Sequence, residues 1–265
     1  MPELPEVEIT RRNLERWLTG RRIERAKAAP SRVFRGADVK AFRALGGRLL
    51  AADRRGKYLL LTFEGGRGLL SHLGMTGKYV RRPPGHLEPH SRARFILDTG
   101  EVIHYRDPRM FGRMQPAPAE KLPALVAHLG RDPFLEGLTA AQLTEALAGS
   151  KQAIKVALMD QERLAGLGNI HAAEALFRAR LDPRRKPNSL TAEEWKRLAK
   201  AIRDDLRFAI DEEASDEIEY VEEPGAPNPF LIYGRAGEPC PRCGTTVRAL
   251  TQAGRTTHYC PQCQR

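Results

Sequence analysis

Residues 1–6, Met-Pro-Glu-Leu-Pro-Glu, place a latent secondary amine, Pro2, beside the carboxylic acid of Glu3. Removal of Met1 would make the proline nitrogen a chain terminus with a reference pKa of about 8, against about 10.4 for lysine, so it could attack carbon near neutral pH without deep burial. Attack on a carbonyl-level carbon gives an iminium and hence a covalent intermediate. The same residues are also compatible with ordinary methionine processing and a Pro5 that simply starts a helix.

All four cysteines fall in the last 26 residues, as Cys240-Pro-Arg-Cys243 and Cys260-Pro-Gln-Cys263, with 16 residues between the pairs. Two thiolates on one tight knuckle can face one ion, and two knuckles complete a tetrahedral, closed site, so the spacing points to one structural zinc. Disulfide or redox use is the competing reading; a chain without a secretion signal disfavours it.

Other candidates are weaker alone. Lys57 follows Arg54-Arg55-Gly56, whose positive charge could lower its pKa for proton transfer or set it against a phosphate; a solvated lysine fits equally. Asp107-Pro-Arg109-Met-Phe111-Gly joins a guanidinium to an aromatic wedge at a turn, a pair able to fill the gap left by an everted base. The bland alternative pairs Arg109 with Asp107 and buries Phe111. Met75, in Leu73-Gly-Met-Thr-Gly77, suits the same gap or ordinary packing. Arg163-Leu-Ala-Gly-Leu-Gly-Asn169 can aim backbone amides and a side-chain amide at a phosphate, or merely cap a helix. Lys151 and Lys155 precede it, and Arg255 sits between the cysteine knuckles, where a hairpin tip could enter a groove.

The elements that must carry these groups follow from local pattern. Val7, Leu14 and Leu18 share a helical face after Pro5, and Gly20 stops it. From Arg48 to Arg113 short β-rich runs dominate (Lys57–Phe63, 69–73, 94–97 and 102–105), as in a sandwich or barrel. Gln115-Pro-Ala-Pro-Ala119 reads as a stiff break before helical signals. Thr139-Ala-Ala-Gln142 and Thr191-Ala-Glu-Glu194 have the form of capping boxes, and 152–159 and 170–177 read as further helices. Asp211 to Pro229 is acidic and aperiodic, a loop. The fold class expected is multidomain α and β: a β-sandwich with flanking helices over 1–115, a helix-two-turn-helix domain over 130–231 and a zinc ribbon over 232–265.

Lys plus Arg number 44 against 33 Asp plus Glu, a formal net charge of +11, which suits a polyanion better than a small acidic substrate. No apolar run nears the roughly 20 residues that span a bilayer, and no basic-then-apolar leader opens the chain, so a cytoplasmic protein with no membrane partner is expected.

In order along the chain, the Pro-Glu-Leu-Pro-Glu terminus, the Arg-Gly-Lys-Tyr-Leu strand, His-Leu-Gly-Met, Asp-Pro-Arg-Met-Phe-Gly, Gly-Leu-Gly-Asn-Ile and the paired CxxC ribbon ending Cys-Gln-Arg resemble formamidopyrimidine-DNA glycosylase end to end. The resemblance implies a bacterial, nucleoid-associated and monomeric repair enzyme that acts on damaged double-stranded DNA. It would remove oxidised purines such as 8-oxoguanine and formamidopyrimidines and then cut the strand by β,δ-elimination. Pro2 would be the nucleophile and Glu3 the acid, with Glu6 orienting the terminus, Lys57 assisting β-elimination and Arg255 δ-elimination. Met75, Arg109 and Phe111 would fill the gap, and His72, His90, Lys151, Lys155 and Asn169, with Arg109 and Arg255, would hold DNA. Two other functions compete: a non-catalytic zinc-ribbon DNA-binding protein, and an oxidised-pyrimidine glycosylase of the endonuclease VIII type, against which Leu4 argues.

Three departures from the family pattern are visible. His171 stands where tyrosine is common, and Gly149-Ser-Lys151-Gln152 replaces a lysine cluster. Asp211–Glu223 carries eight carboxylates where the loop is usually rich in glycine and threonine. Such acid must lie off the phosphates, pair with basic neighbours or touch a base edge, which puts lesion preference in question.

Overall fold

The computed structural model describes residues 2–35 and 39–265, which divide into two compact units, 1–128 with 213–222 and 129–212 with 223–265. The acidic segment 213–222 packs with the first unit because its charges and carbonyls find basic partners there. The cysteine ribbon shares a small core, including Ala173, Phe177, Ile232, Val247 and Cys260, with a helix of the second unit.

The first unit opens with α1 (Leu4–Leu18) and β1 (Ile23–Ala28), then a short α2 (Val39–Arg43) and seven strands: β2 (Leu49–Arg55), β3 (Tyr58–Phe63), β4 (Arg67–His72), β5 (Lys78–Arg82), β6 (Ser91–Leu97), β7 (Val102–Arg106) and β8 (Arg113–Pro118). They form two antiparallel four-stranded sheets, ordered β1-β6-β7-β5 and β2-β3-β4-β8. Side chains alternate across a strand, so Leu59, Leu61 and Phe63 from one sheet and Phe95, Leu97 and Ile103 from the other point into a shared core, joined by Val7, Leu14 and Trp17 of α1. The sequence expectation of a stiff break at 115–119 is corrected: Gln115 to Pro118 belong to β8. Prolines are tolerated there because β8 is an edge strand, where a missing N–H breaks no ladder.

The first unit also holds α3 (Leu122–Leu125); the second contains α4 (Ala140–Leu147), α5 (Ile154–Leu158), α6 (Asn169–Ala179) and α7 (Ala192–Glu212), then the ribbon hairpin β9 (Arg248–Gln252) and β10 (Arg255–Tyr259). Both expected capping boxes are present. Gln142 N–H donates to Thr139 Oγ1 while Thr139 N–H donates to Gln142 Oε1, and Thr191 and Glu194 reciprocate in the same way. No helix is long and apolar enough to cross a membrane among the described residues.

Glu174 on α6 is fully buried and accepts backbone N–H bonds from Leu231, Ile232 and Tyr233 at 2.9, 2.8 and 2.9 Å. Burial and the nearby Asp205 charge push its carboxyl up, and the three N–H donors partly offset this. One side chain therefore fastens the turn leading into the ribbon. Glu174→Ala would strand one buried and two half-buried donors at about 1–3 kcal/mol each before relaxation, so a loss of several kcal/mol is expected in denaturant unfolding. Unfolding at the wild-type midpoint would refute this role.

Candidate active site and nucleic-acid interface

Glu3 caps α1 in a reciprocal capping box: its backbone N–H donates to Glu6 Oε2 at 2.8 Å, and its carboxylate accepts from the Glu6 N–H. Both acids are buried, as is Pro2. The first turn thus fixes the Pro2-Glu3 peptide on a rigid helix start, where the helix dipole favours a carboxylate. Met1, whose removal would free the Pro2 nitrogen, lies outside the described residues.

One and a half turns along the same helix, Glu8 accepts from Arg54 Nε at 3.1 Å, with both side chains buried. Arg54 Nη1 also donates to Gly56 O at 2.9 Å, so the turn carrying Lys57 is tied to the helix carrying Pro2 and Glu3. Burial raises the Glu8 pKa, but bonds from Arg11 and Arg12 and the charges of Arg11 and Arg54 outweigh it and hold the carboxyl below its ordinary value. Beyond Lys57, Tyr58 pairs with His72 across β3 and β4, their rings 4.8 Å apart. Burial first, then the positive charges of Lys57, Arg35 and Arg113, lower His72 to about 4. Its imidazole is therefore neutral at pH 7, and Nδ1 accepts the Gly74 N–H at 3.0 Å. His72 shapes the Gly74-Met75 turn as a neutral acceptor.

Two loops of the first unit meet at Asp107, which is fully buried. Thr76 Oγ1 donates to its Oδ1 at 2.6 Å and Gly112 N–H to its Oδ2 at 2.8 Å. Asp107 is thus used to join the loops rather than to neutralise Arg109. The Arg109 guanidinium instead lies 4.7 Å from the centre of the Phe111 ring, and Phe111 and Met75 are 41% and 36% exposed. Gly74 has a φ of +69°, and a Cβ there would lie 2.4 Å from Gly112 N, so only glycine lets the loops approach this closely. A stacked cation, an aromatic and a methionine are left facing outward from one rigid base, the arrangement a duplex gap would accept. Two residues the sequence reading passed over complete the support. Arg35 donates to Phe111 O at 3.0 Å, and Arg92 donates to Asp107 O at 2.9 Å and Pro108 O at 3.3 Å. Nothing in a sequence rich in arginine marks these two. His90 is exposed with φ of +59°, and its carbonyl accepts the Asp107 N–H.

The acidic segment finds basic neighbours. Glu217 pairs with Arg82 at 2.8 Å and Arg106 at 3.9 Å, and Asp216 pairs with Arg16. The hydrogen bonds and charge of Arg82 hold Glu217 below its ordinary value despite burial. Asn13 donates to Ser215 O, Lys78 donates to Ile218 O at 2.8 Å, and the Tyr220 hydroxyl donates to Gly77 O at 2.6 Å. Two of the eight carboxylates are thereby neutralised on the sandwich, and Ile218 and Tyr220 are buried against it.

Within the second unit the glycine turn delivers Asn169 to the first residue of α6. Lys155 differs from the expectation of a DNA contact: it is 0% exposed, and its ammonium donates to Asn169 Oδ1. In this arrangement the lysine orients the Asn169 amide. Asn169 Nδ2 donates to Thr256 O at 2.9 Å and keeps a second N–H for another acceptor. Thr256 adjoins Arg255, which is exposed at the hairpin tip after Gly254 (φ +70°). The amide and the tip guanidinium are therefore held in one frame, while Lys151 stays exposed in the coil before α5. His171 is buried, its Nδ1 2.8 Å from Asp205 Oδ2, so this departure from the family pattern serves the interior.

The four sulfurs lie within 4.8 Å of one another, with Cys240–Cys263 at 4.0 Å and Cys243–Cys260 at 3.5 Å. Zinc–sulfur bonds of about 2.3 Å imply tetrahedral edges of about 3.8 Å, so the set fits one structural zinc. Arg242 and Cys263 N–H groups point at the Cys240 and Cys260 sulfurs, as knuckle amides do when they support thiolates.

Two outcomes test this geometry. Glu8→Ala leaves Arg54 charged and buried, so it should cost about 3–5 kcal/mol and loosen the Lys57 turn; an unchanged midpoint would show the pair to be dispensable. His72 binds its proton near pH 6.5 when unfolded and only near pH 4 when folded, so its contribution is complete above pH 6.5 and is lost as pH falls towards 4. Wild-type stability should therefore fall over that window by on the order of 2 kcal/mol more than in His72→Gln. Identical pH profiles would contradict a neutral acceptor role.

Comparison with known proteins agrees with this architecture. Residues 1–114 match the formamidopyrimidine-DNA glycosylase N-terminal domain, 129–219 its H2TH domain, and 237–265 the zinc finger found in Fpg and IleRS. The formamidopyrimidine-DNA glycosylase of Thermus thermophilus is 41% identical over 273 residues, covering 100% of this chain and 98% of that one. Two solved complexes of Lactococcus lactis Fpg each cover 100% of both chains at 32% identity, one with an oxidized pyrimidine containing DNA (TM-score 0.88) and one with an N7-benzyl-Fapy-dG containing DNA (TM-score 0.89). On matches that span the whole chain, and on three domains found in the family's order, the protein belongs to the formamidopyrimidine-DNA glycosylase family.

Proposed function

We propose that this protein is a bifunctional base-excision repair enzyme that releases oxidised purines from duplex DNA and then cleaves the abasic strand. The observation that carries this reading is the Pro2-Glu3 pair at the capped start of α1 in a chain of this family. With Met1 removed, the proline nitrogen attacks C1′ of the everted nucleotide as the bond to the base breaks. Glu3 supplies a proton to the sugar ring oxygen or the departing base. The resulting iminium acidifies the C2′ hydrogen. Its removal, assisted by Lys57, expels the 3′ phosphate, and a second elimination, assisted by Arg255, expels the 5′ phosphate. Hydrolysis of the imine then returns the amine.

Met75, Arg109 and Phe111 occupy the vacated stack, with Arg109 facing the orphan base, while His90, Lys151 and Asn169 hold the bent backbone. The enzyme works as a monomer on bacterial chromosomal DNA. Leu4, where endonuclease VIII-like relatives usually have glycine, supports the purine preference over the pyrimidine one. Pairing of Asp216 and Glu217 with arginines removes the strongest electrostatic objection to a phosphate-lined path beside the acidic segment.

Borohydride should trap a covalent complex on duplex DNA carrying 8-oxoguanine opposite cytosine. Pro2→Leu should abolish trapping, and Glu3→Gln should slow excision by about 10²–10⁴-fold. Undiminished trapping by Pro2→Leu would exclude the proline nucleophile, and faster release of thymine glycol than of 8-oxoguanine would reverse the lesion assignment.

A further inference from the structure

On the outer face of the first sheet, where β1 ends and β6 begins, lies a cavity of about 440 Å³ ringed by Lys27, Arg43, Arg92 and Arg94. Among the described residues none of these four makes an ion pair, although arginines elsewhere on the same unit, such as Arg11, Arg54 and Arg82, are matched with carboxylates. Lys27 and Arg94 stand directly opposite one another in the antiparallel pairing. Like charges at such a position destabilise a sheet, because Cβ atoms there are only about 5 Å apart. Both are half-buried, which reduces solvent screening.

The other two cations are aimed by neutral carbonyls. Arg43 donates through Nε and Nη2 to Ala28 O at 3.1 and 2.8 Å, and Arg92 donates to Asp107 O and Pro108 O. Each guanidinium is thereby oriented without losing its charge and keeps further N–H groups. Two carbonyl-oriented guanidiniums and two half-buried opposed cations thus ring one hollow, a charge pattern that an anion would neutralise.

We propose that this hollow is a phosphate-binding subsite outside the catalytic centre, recognising the tetrahedral oxyanion of a phosphate group. The DNA backbone is its source, because Arg92 is bonded to the 107–108 carbonyls immediately before Arg109, so a strand that meets the Arg109-Phe111 loop has a phosphate within reach. Only that choice of source rests on the duplex-DNA reading above. The bridging anion relieves the Lys27–Arg94 repulsion, so binding and local stability are coupled.

The test uses the full-length, zinc-loaded protein and the double variant Lys27→Gln/Arg94→Gln, which keeps both stems. The slope of log affinity against log salt on lesion-bearing duplex should become less negative by about 1.8, the loss of two phosphate contacts. Single-turnover excision at saturating DNA should be unchanged. In low-anion buffer the variant should melt no lower than wild type, and inorganic phosphate should raise the wild-type Tm, relative to chloride at equal ionic strength, but not the variant's. A slope change places the ligand in the DNA backbone; a phosphate-specific Tm rise alone assigns the hollow to free phosphate. Equal slopes together with equal phosphate responses overturn the proposal, and so does a variant that melts lower in low-anion buffer. Failure of the repair reading looks different: wild type would release no base while the slope difference persisted on undamaged duplex.

Discussion

The buried Glu8–Arg54 ion pair is the constraint on which the candidate catalytic arrangement depends. Two charges removed from water must satisfy each other, and they do so between the first helix, which begins just after Pro2, and the second strand, which runs into the Lys57 turn. A buried pair of this kind contributes little net stability compared with a hydrophobic filling, yet breaking it is costly. Its value lies in geometry. Arg54 uses its fork to hold both Glu8 and Gly56 O, so the position of Lys57 is set by the helix rather than by its own turn.

Asp107 does for the loops what Glu8 does for the helix. A buried carboxylate that accepts a hydroxyl and a backbone N–H makes two separate turns into one surface, and Gly74 and Gly112 remove the side chains that would hold them apart. The exposed Arg109 and Phe111 can then stack on each other without a partner from the core. In the second unit Lys155 plays the corresponding part for Asn169. In all three places a buried side chain orients a less buried neighbour: the Lys57 turn, the Arg109-Phe111 loop and the Asn169 amide.

That division explains what was legible in the sequence. Capping boxes at Thr139 and Thr191, the apolar face of the first helix, the alternating strands and the cysteine knuckles are local patterns, and each appears where periodicity or spacing placed it. The burial of Lys155 was not legible, because a basic residue near a glycine turn looks the same whether its ammonium points outward or at Asn169. The Gln115–Pro118 strand was hidden for a related reason: proline signals a break unless the strand lies at an edge, and sheet order is a long-range property. Arg35 and Arg92 act through backbone carbonyls, which no residue pattern advertises. The acidic segment was recognised as anomalous, but its partners Arg16, Arg82 and Arg106 lie more than a hundred residues away in the chain.

The prolines of β8 carry one more implication. Pro116 and Pro118 occupy the outer strand of the second sheet and offer no N–H to a newcomer, so that edge cannot recruit an additional strand from another chain. A sheet closed to growth on that side confines recognition to loops and turns. Selectivity in such a molecule can therefore change by altering a few loop side chains while the strands beneath keep their register.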